Sequence, residues 1–567
     1  MSHDDDDSRI EAVGTTKLVN FSEKGDGADK DSSTIVLIPT PTTNPNDPLN
    51  WPLWRKSWLS AVTLFWCFMI NASIAWTSPA WDLWVAEFPT TYTALNNTQS
   101  VLVFTCGIGI LFTQPMATKY GRRLPYIIGS VLVLAGLAFG AAMNSINFMW
   151  AYMILSGFGS APSYSLNESS LLDISFLHQR GRLMGIYALV LQCGNFLPPI
   201  ACGFIVDSQG WRWVLRYLLI FQGISALLII FSAEETVYPR QSHIPVHVGK
   251  PVRRSPVATT TTTTEQHGTA RLSTSKDEFT SAERATSATE ITDEGPTTAS
   301  HVVDDTIPIH PYRRRHALIT KDPTVKQGYW QLVVSPFPYI GLPAVAWASL
   351  IVSFKSFLTS FIFSTQASFF SIPPYNFSAG TMGLMFVALV IGNVIGAVLG
   401  GLGADWLILR LARRNRGVTE PEHRLWAFLP VPFCCAGGIL MYGLGAHYGL
   451  HWIVPCLGLT LIGVAANILI PVAMTYAFDS YSDIFDESVQ MINFLRNAVG
   501  GALSFAIRPW ITASGPKNAC IGIAVMLFAV YMTFLPFAVW GKKWRTATAG
   551  YYLRITRKND KWAAAAA

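Results

Sequence analysis

Residues 350–363 read LIVSFKSFLTSFIF and set a single lysine, Lys355, near the middle of an apolar run. On insertion scales a lysine at mid-bilayer costs about 2.5–3.5 kcal/mol, and from there its stem is too short to reach water comfortably. The charge needs protein or a wet cavity around it. At about 100° per residue, Ser353, Ser356, Ser360 and Ser364 form one stripe of a helix. Lys355, Thr359 and Gln366 form another, nearly opposite. Serines suit close helix contact, so the serine stripe is expected against a neighbouring helix and Lys355 and Thr359 in a cavity.

Asn71, Gln192, Asn195, Asn393 and Asn467 also fall near the middle of apolar runs. One such amide reads as glue between helices, worth roughly 0.6 kcal/mol. Several at one depth point to a shared cavity for a solute. Arg496, flanked by Asn493 and Asn497, lies a turn or two inside another run. There it either binds and couples, or pairs with Asp479 at the helix end. Glu168 sits about four residues inside the end of its run, with Tyr164 one turn earlier. A carboxylate half withdrawn from water takes up a proton more readily, so Glu168 is a candidate proton carrier. Its competing role is an ion pair with Arg122, Arg123 or Arg182, for which Asp173, the second coupling candidate, is better placed. No HExxH, GxSxG, clustered His–Cys pattern or GxxxxGK[ST] loop occurs. The chain is therefore not expected to be an enzyme, to hold a metal or other cofactor, or to be driven by ATP.

What must position these groups is a membrane scaffold. Half of the 567 residues are hydrophobic and 13% are charged, against about 25% charged in soluble domains. Runs long enough for a bilayer, about 20 residues each, lie near 57–77, 98–118, 124–143, 149–172, 183–206 and 213–233. A second set lies near 341–366, 380–400, 425–446, 452–476, 489–512 and 519–540. The expected division is a disordered N-terminus (1–55), a six-helix bundle (56–233), a flexible linker (234–340), a second six-helix bundle (341–541) and a basic tail (542–567). The eight cysteines all fall within apolar runs and read as packing residues, not a disulfide framework.

Lys and Arg collect in alternate loops, at Lys119, Arg122 and Arg123, at Arg180 and Arg182, at Arg410 to Arg416, and in the tail. The positive-inside rule then puts both termini in the cytoplasm. The net charge of +6 sits in these loops and speaks to topology, not to nucleic acid. Asn96 and Asn376 begin Asn-x-Ser/Thr sites, expected in outer loops open to glycosylation. The halves repeat: Gly157, Asp173 and Gly194 recur as Gly463, Asp479 and Gly500, each 306 residues on. A duplicated bundle with its site between the halves is a transporter architecture.

The loop PMATKYGRRLP (115–125) and its counterpart GGLGADWLILRLARRNRG (400–417) resemble the paired loop signature of the major facilitator superfamily. VLIPTPTTNPNDPLNW, LLDISFLHQRG, PYNFS, EPEHRLW and TYAFDSY are similar to its fungal drug:proton antiporter branch, within the group of the yeast histidinol and polyamine permease. The resemblance implies an all-α membrane fold of twelve transmembrane helices, two six-helix bundles related by a pseudo-two-fold axis. It also implies a cytoplasmic gate built from Arg122, Arg123, Arg182, Asp405 and Asp479. Thr118 stands where the family has an aspartate, and Met153 where it has a fourth-span arginine. GNFLPPIACG (194–203) keeps part of the antiporter fifth-span signature, and its Pro198 and Pro199 are expected to bend that span.

The expected function is a monomeric, proton-coupled secondary transporter in the plasma membrane that exports a small organic metabolite or drug-like solute. Two alternatives stand beside it: proton-coupled uptake of polyamines or related cations, and a nutrient sensor that no longer transports. A cationic cavity wall at Lys355 repels polyamines, which favours an anionic or neutral polar solute and export.

Overall fold

Proline and glycine decide where the long apolar runs break. In the computed structural model the described residues are 16–17, 42–238, 307–414 (except 309, 321–324 and 326), 418–481 and 484–565. Most of the expected N-terminal tail and linker lies outside them. The first half comprises α1 (Leu53–Ala75), α2 (Tyr92–Tyr120), α3 (Arg123–Ala141), α4 (Ile146–Asp173), α5 and α6 (Trp211–Ser232). Pro198 cannot donate to the ladder, so α5 is two pieces, Leu177–Phe196 and Pro198–Gln209, hinged at Leu197.

The second half comprises α7 (Pro343–Phe370), α8 (Ala379–Val398), α9 (Pro430–His447), α10 (Ile453–Ser480) and α11 (Phe485–Ser504). Beyond α8, the glycines of Leu399–Gly403 permit one π turn before Ala404–Arg414. The α11 rod resumes at Ile507 and reverses at Gly515, whose φ of 77° suits glycine alone. From there α12 runs through 516–532 and continues as Phe534–Ala565.

Ten helical stretches among the described residues are long and apolar enough to cross a bilayer. α4 and α11 complete the twelve. They are the serine- and amide-bearing rods, and their polar side chains are buried inside the protein: Ser160, Ser163 and Asn167 on α4, Asn493, Arg496 and Asn497 on α11. A span that faces protein on most sides can afford polarity that a lipid-facing one cannot.

The 306-residue repeat reappears in the packing. A Cβ at Gly157 would lie 2.5 Å from Leu102 O, and one at Gly463 2.5 Å from Leu389 O, so α4 meets α2 as α10 meets α8. Gly194 lets α5 cross α1 beside Phe68 O as Gly500 lets α11 cross α7 beside Ser353 O. The aspartates of the repeat also correspond. Asp173 pairs with Arg122 at 3.0 Å, and Asp479 with Arg424 at 3.3 Å. Two seams join the halves, α2 against α11 and α5 against α8.

At the basic end, residues from both ends of the expected linker lie against the first half. The Glu235 carboxylate accepts the N–H groups of Arg122 and Arg123 at 3.0 and 3.1 Å, satisfying two donors at the start of α3. Glu234 pairs with both Arg55 and Arg315.

Candidate functional site

A cavity opens at mid-depth where the two halves meet. α1, α2, α4 and α5 supply Ile74, Gln99, Leu102, Val103, Cys106, Tyr164 and Asn195 to its wall. α7 and α11 supply Lys355, Ser356, Thr359, Ser360, Phe363, Arg496 and Asn497. In this conformation the cavity volume is about 40 Å³, room for a few waters.

Lys355 is 3% exposed, and among the described residues its ammonium makes no ion pair. Its carbonyl accepts from Thr359 Oγ1 at 3.0 Å. Arg496, 7% exposed, holds its guanidinium 4.8 Å over the Tyr164 ring, and its Nε is buried without an acceptor. Among the described residues the wall thus carries two basic side chains and no carboxylate.

Of the residues singled out in the sequence, Asn195, Lys355, Thr359 and Arg496 meet at this cavity. Asn71 lies outside the wall and donates to Cys67 O one turn back on α1, at 2.8 Å. Gln192, Asn393 and Asn467 form a separate chain across α5, α8 and α10. Gln192 Nε2 donates to Asn393 Oδ1 at 3.3 Å, and Asn467 Nδ2 to Asn393 O at 2.6 Å. This is interhelical glue that also crosses from one half to the other.

The two stripes of α7 do not separate as their angles suggest. Ser356 and Ser360 line the cavity beside Lys355, because α7 presents its polar side to the crevice between α2 and α11. Ser353 Oγ donates to Leu495 O on α11 at 3.1 Å. Gln366 turns away to donate to Met382 O on α8 at 2.5 Å.

Contacts between the two halves flank the cavity. Toward the basic end, Arg496 rests on Tyr164, and Asn493 Nδ2 donates to Tyr164 O at 3.1 Å. Toward the other end, Arg508 lies 4.9 Å over the Tyr92 ring and donates through Nε to Ser364 Oγ at 3.1 Å, while Tyr92 donates its hydroxyl to Asp82. Nearby, Asp207 on α5 accepts from Gly380 N and Ser378 Oγ, each at 2.9 Å. A carboxylate from the first half thereby caps the N-terminus of α8 in the second, where its charge complements the helix dipole. Arg508 and Asp207 carry no motif in the sequence. Arg508 alone left a signal, as a second arginine on the rod of Arg496.

Glu168 is half-buried on α4, one turn from Tyr164. Arg123 is buried, with its guanidinium on the carbonyls of His316 and Ile230. The side chains of Arg182 and Asp405 lie outside the described residues. Asn376 is exposed in the loop before α8. Asn96 is corrected: it lies within α2, 1% exposed, and donates to Ser504 O at 3.0 Å. A side chain so held is closed to a glycan in this conformation.

Asp173 pairs with Arg122 at the basic turn, whereas Thr118 donates its hydroxyl to Gln114 O. Asp173→Asn is expected to reduce transport several-fold at unchanged surface abundance. A silent Asp173→Asn beside a crippling Asp405→Asn would rule out the gating role expected of Asp173.

The family model described as Major Facilitator Superfamily matches residues 61–506. Protein HOL1 of Saccharomyces cerevisiae is 30% identical over 555 residues, 94% of each chain. Efflux pump radE of Floropilus chiversii is 25% identical over 492 residues, 86% of this chain and 81% of its own. The xylose transporter XylE of E. coli, in a partially occluded inward-open conformation, has the same fold, with a TM-score of 0.54 at 12% identity over 85% of this chain and 99% of that one.

Proposed function

The chain belongs to the Major Facilitator Superfamily, and from that premise we propose that it exports a small organic solute across the plasma membrane in exchange for protons. The observation that carries this reading is the cavity walled by residues of both halves, with contacts between the halves on either side of it. Alternating access requires such a site, reached from one side at a time as the halves rock. The moving bodies are residues 56–233 and 341–541. The N-terminus (1–55), linker (234–340) and tail (542–567) lie on the cytoplasmic side, the assignment that the basic turns support. The similarity to the efflux pump radE supports the outward direction. The pairs Arg122–Asp173 and Arg424–Asp479, with Arg123, Arg182 and Asp405, form the cytoplasmic gate. Gln192, Asn393 and Asn467 hold the helices around the site, whereas Asn71 bonds within α1.

Polyamine uptake fits less well. A polycation seeks carboxylates, and the cavity wall offers Lys355 and Arg496 instead.

Glu168 carries the proton in this reading, being half-buried one turn from a cavity residue. Proteoliposomes with an imposed pH gradient provide the test. The unaltered protein is expected to accumulate solute against its gradient. Glu168→Gln is expected to lose accumulation yet keep solute exchange, which needs no net proton movement. Full accumulation by that variant would take Glu168 out of the mechanism, and no flux from the unaltered protein would leave a sensor as the better reading.

A further inference from the structure

We infer that the solute is an organic anion with an apolar body, whose carboxylate-type group is taken between Lys355 and Arg496. The inference rests on the transport reading for its direction and on the cavity's geometry for its chemistry. Two basic side chains, Lys355 and Arg496, share a wall that among the described residues holds no Asp or Glu. Buried like charges without a counterion are costly, so an arriving anion removes a penalty already present. It also completes a donor. Arg496 Nε is buried and unpaired, and the guanidinium's present partner is the face of Tyr164, which takes no hydrogen bond in its plane.

The two cations have different tasks. A guanidinium presents a planar fork that matches a carboxylate through two parallel N–H bonds, while an ammonium acts as a point charge with three donors. Arg496 would orient the anion and Lys355 would neutralise it. The rest of the wall sets the body of the solute: Ile74, Leu102 and Phe363 are apolar, and Gln99 and Asn195 offer amides for further polar groups. One electrical consequence follows. An anion leaving in exchange for an entering proton moves positive charge inward twice over, so an inside-negative potential should accelerate export.

Three probes of one shape separate the charge from the body: 2-naphthoate, 2-naphthamide and 2-naphthamidine, each titrated against the thermal unfolding of the purified full-length protein in detergent. Naphthoate should protect at concentrations at least about tenfold below the amide, the factor that 1.4 kcal/mol of charge-assisted bonding gives, and the amidine should not protect. Lys355→Met and Arg496→Gln should each erase the preference. If either fails to fold, Lys355→Arg and Arg496→Lys, which retain the charge, should keep a preference for the carboxylate over the amidine. Equal protection by all three probes, protection by the amidine alone, or none by naphthoate overturns the anion site. Naphthoate protection without pH-driven flux keeps the site and overturns the transport reading. Spermidine flux without naphthoate protection does the reverse.

Discussion

Valine at Gly203 is expected to abolish transport in a protein that still folds, whereas valine at Gly157 is expected to prevent folding. Both glycines sit where two helix backbones nearly touch. A Cβ at Gly203 would lie 2.3 Å from Ala379 O and 2.8 Å from Gly380 Cα. One at Gly157 would lie 2.0 Å from Thr105 Oγ1 and 2.5 Å from Leu102 O. Backbone atoms cannot rotate aside, and forcing extra carbons into packed helices costs about 1–3 kcal/mol or more.

The difference lies in what can yield. Gly157 and Leu102 belong to the same half, so relief there means unpacking a bundle. Gly203 and Ala379 belong to different halves, at the end away from the basic turns, and the proposed transport cycle must part them. Valine at Gly203 therefore destabilises the closed conformation and leaves the outward-open one alone. It also strains the neighbouring cap of α8 by Asp207. Cys106 lines the cavity and is 1% exposed, so it reports the change. In Gly203→Val a membrane-impermeant maleimide added outside should label Cys106 faster than in the unaltered protein, as read by mass spectrometry. Normal transport by Gly203→Val, or its disappearance from the membrane like Gly157→Val, would show that this seam does not open.

The second large effect is on stability, at a residue that reads in the sequence as one of several tail charges. Arg545 is 1% exposed and grips Glu422 through two bonds, Nε to Oε1 at 2.9 Å and Nη2 to Oε2 at 2.8 Å. It ties the continuation of α12 to the turn that leads into α9. Removing one partner of a buried pair strands the other charge, at about 3–5 kcal/mol. Removing both strands neither. Arg545→Met should lower the unfolding temperature in detergent markedly, and Glu422→Gln with Arg545→Met should recover most of the loss. Arg545→Lys should fall between, since an ammonium cannot reproduce the two-bond fork. An unchanged unfolding temperature in Arg545→Met would mean that the pair does not hold the tail helix in place. Lys542, which meets Glu420 at the exposed surface, serves as the contrast, because such pairs are worth about 0–1 kcal/mol.

Much of the architecture is legible without coordinates because it depends on local quantities. Twenty-residue apolar runs must become helices in a bilayer, where each backbone group needs an internal partner. Pro198 had to break its span for want of an N–H, and Gly157 and Gly463 announce a duplication through spacing alone. Lysine at 355 excludes lipid around itself whatever the fold.

Only the tertiary structure decided which polar groups meet. Periodicity gives the face of a helix that a side chain occupies, not the neighbour which that face meets. Asn71, Asn195 and Asn393 look alike in sequence and each donates to a carbonyl one turn back on its own helix, yet Asn195 also lines the cavity and Asn393 also joins α5 to α10. Those outcomes depend on how far each rod is rotated, which is settled by where glycines let backbones touch. The same packing buried Asn96 beyond reach of a glycan and turned Ser356 and Ser360 toward Lys355. It also set Asp207 on a helix end 173 residues away in the chain. Such contacts between distant segments exist only once both halves have folded and closed on each other, so no local pattern in the chain encodes them.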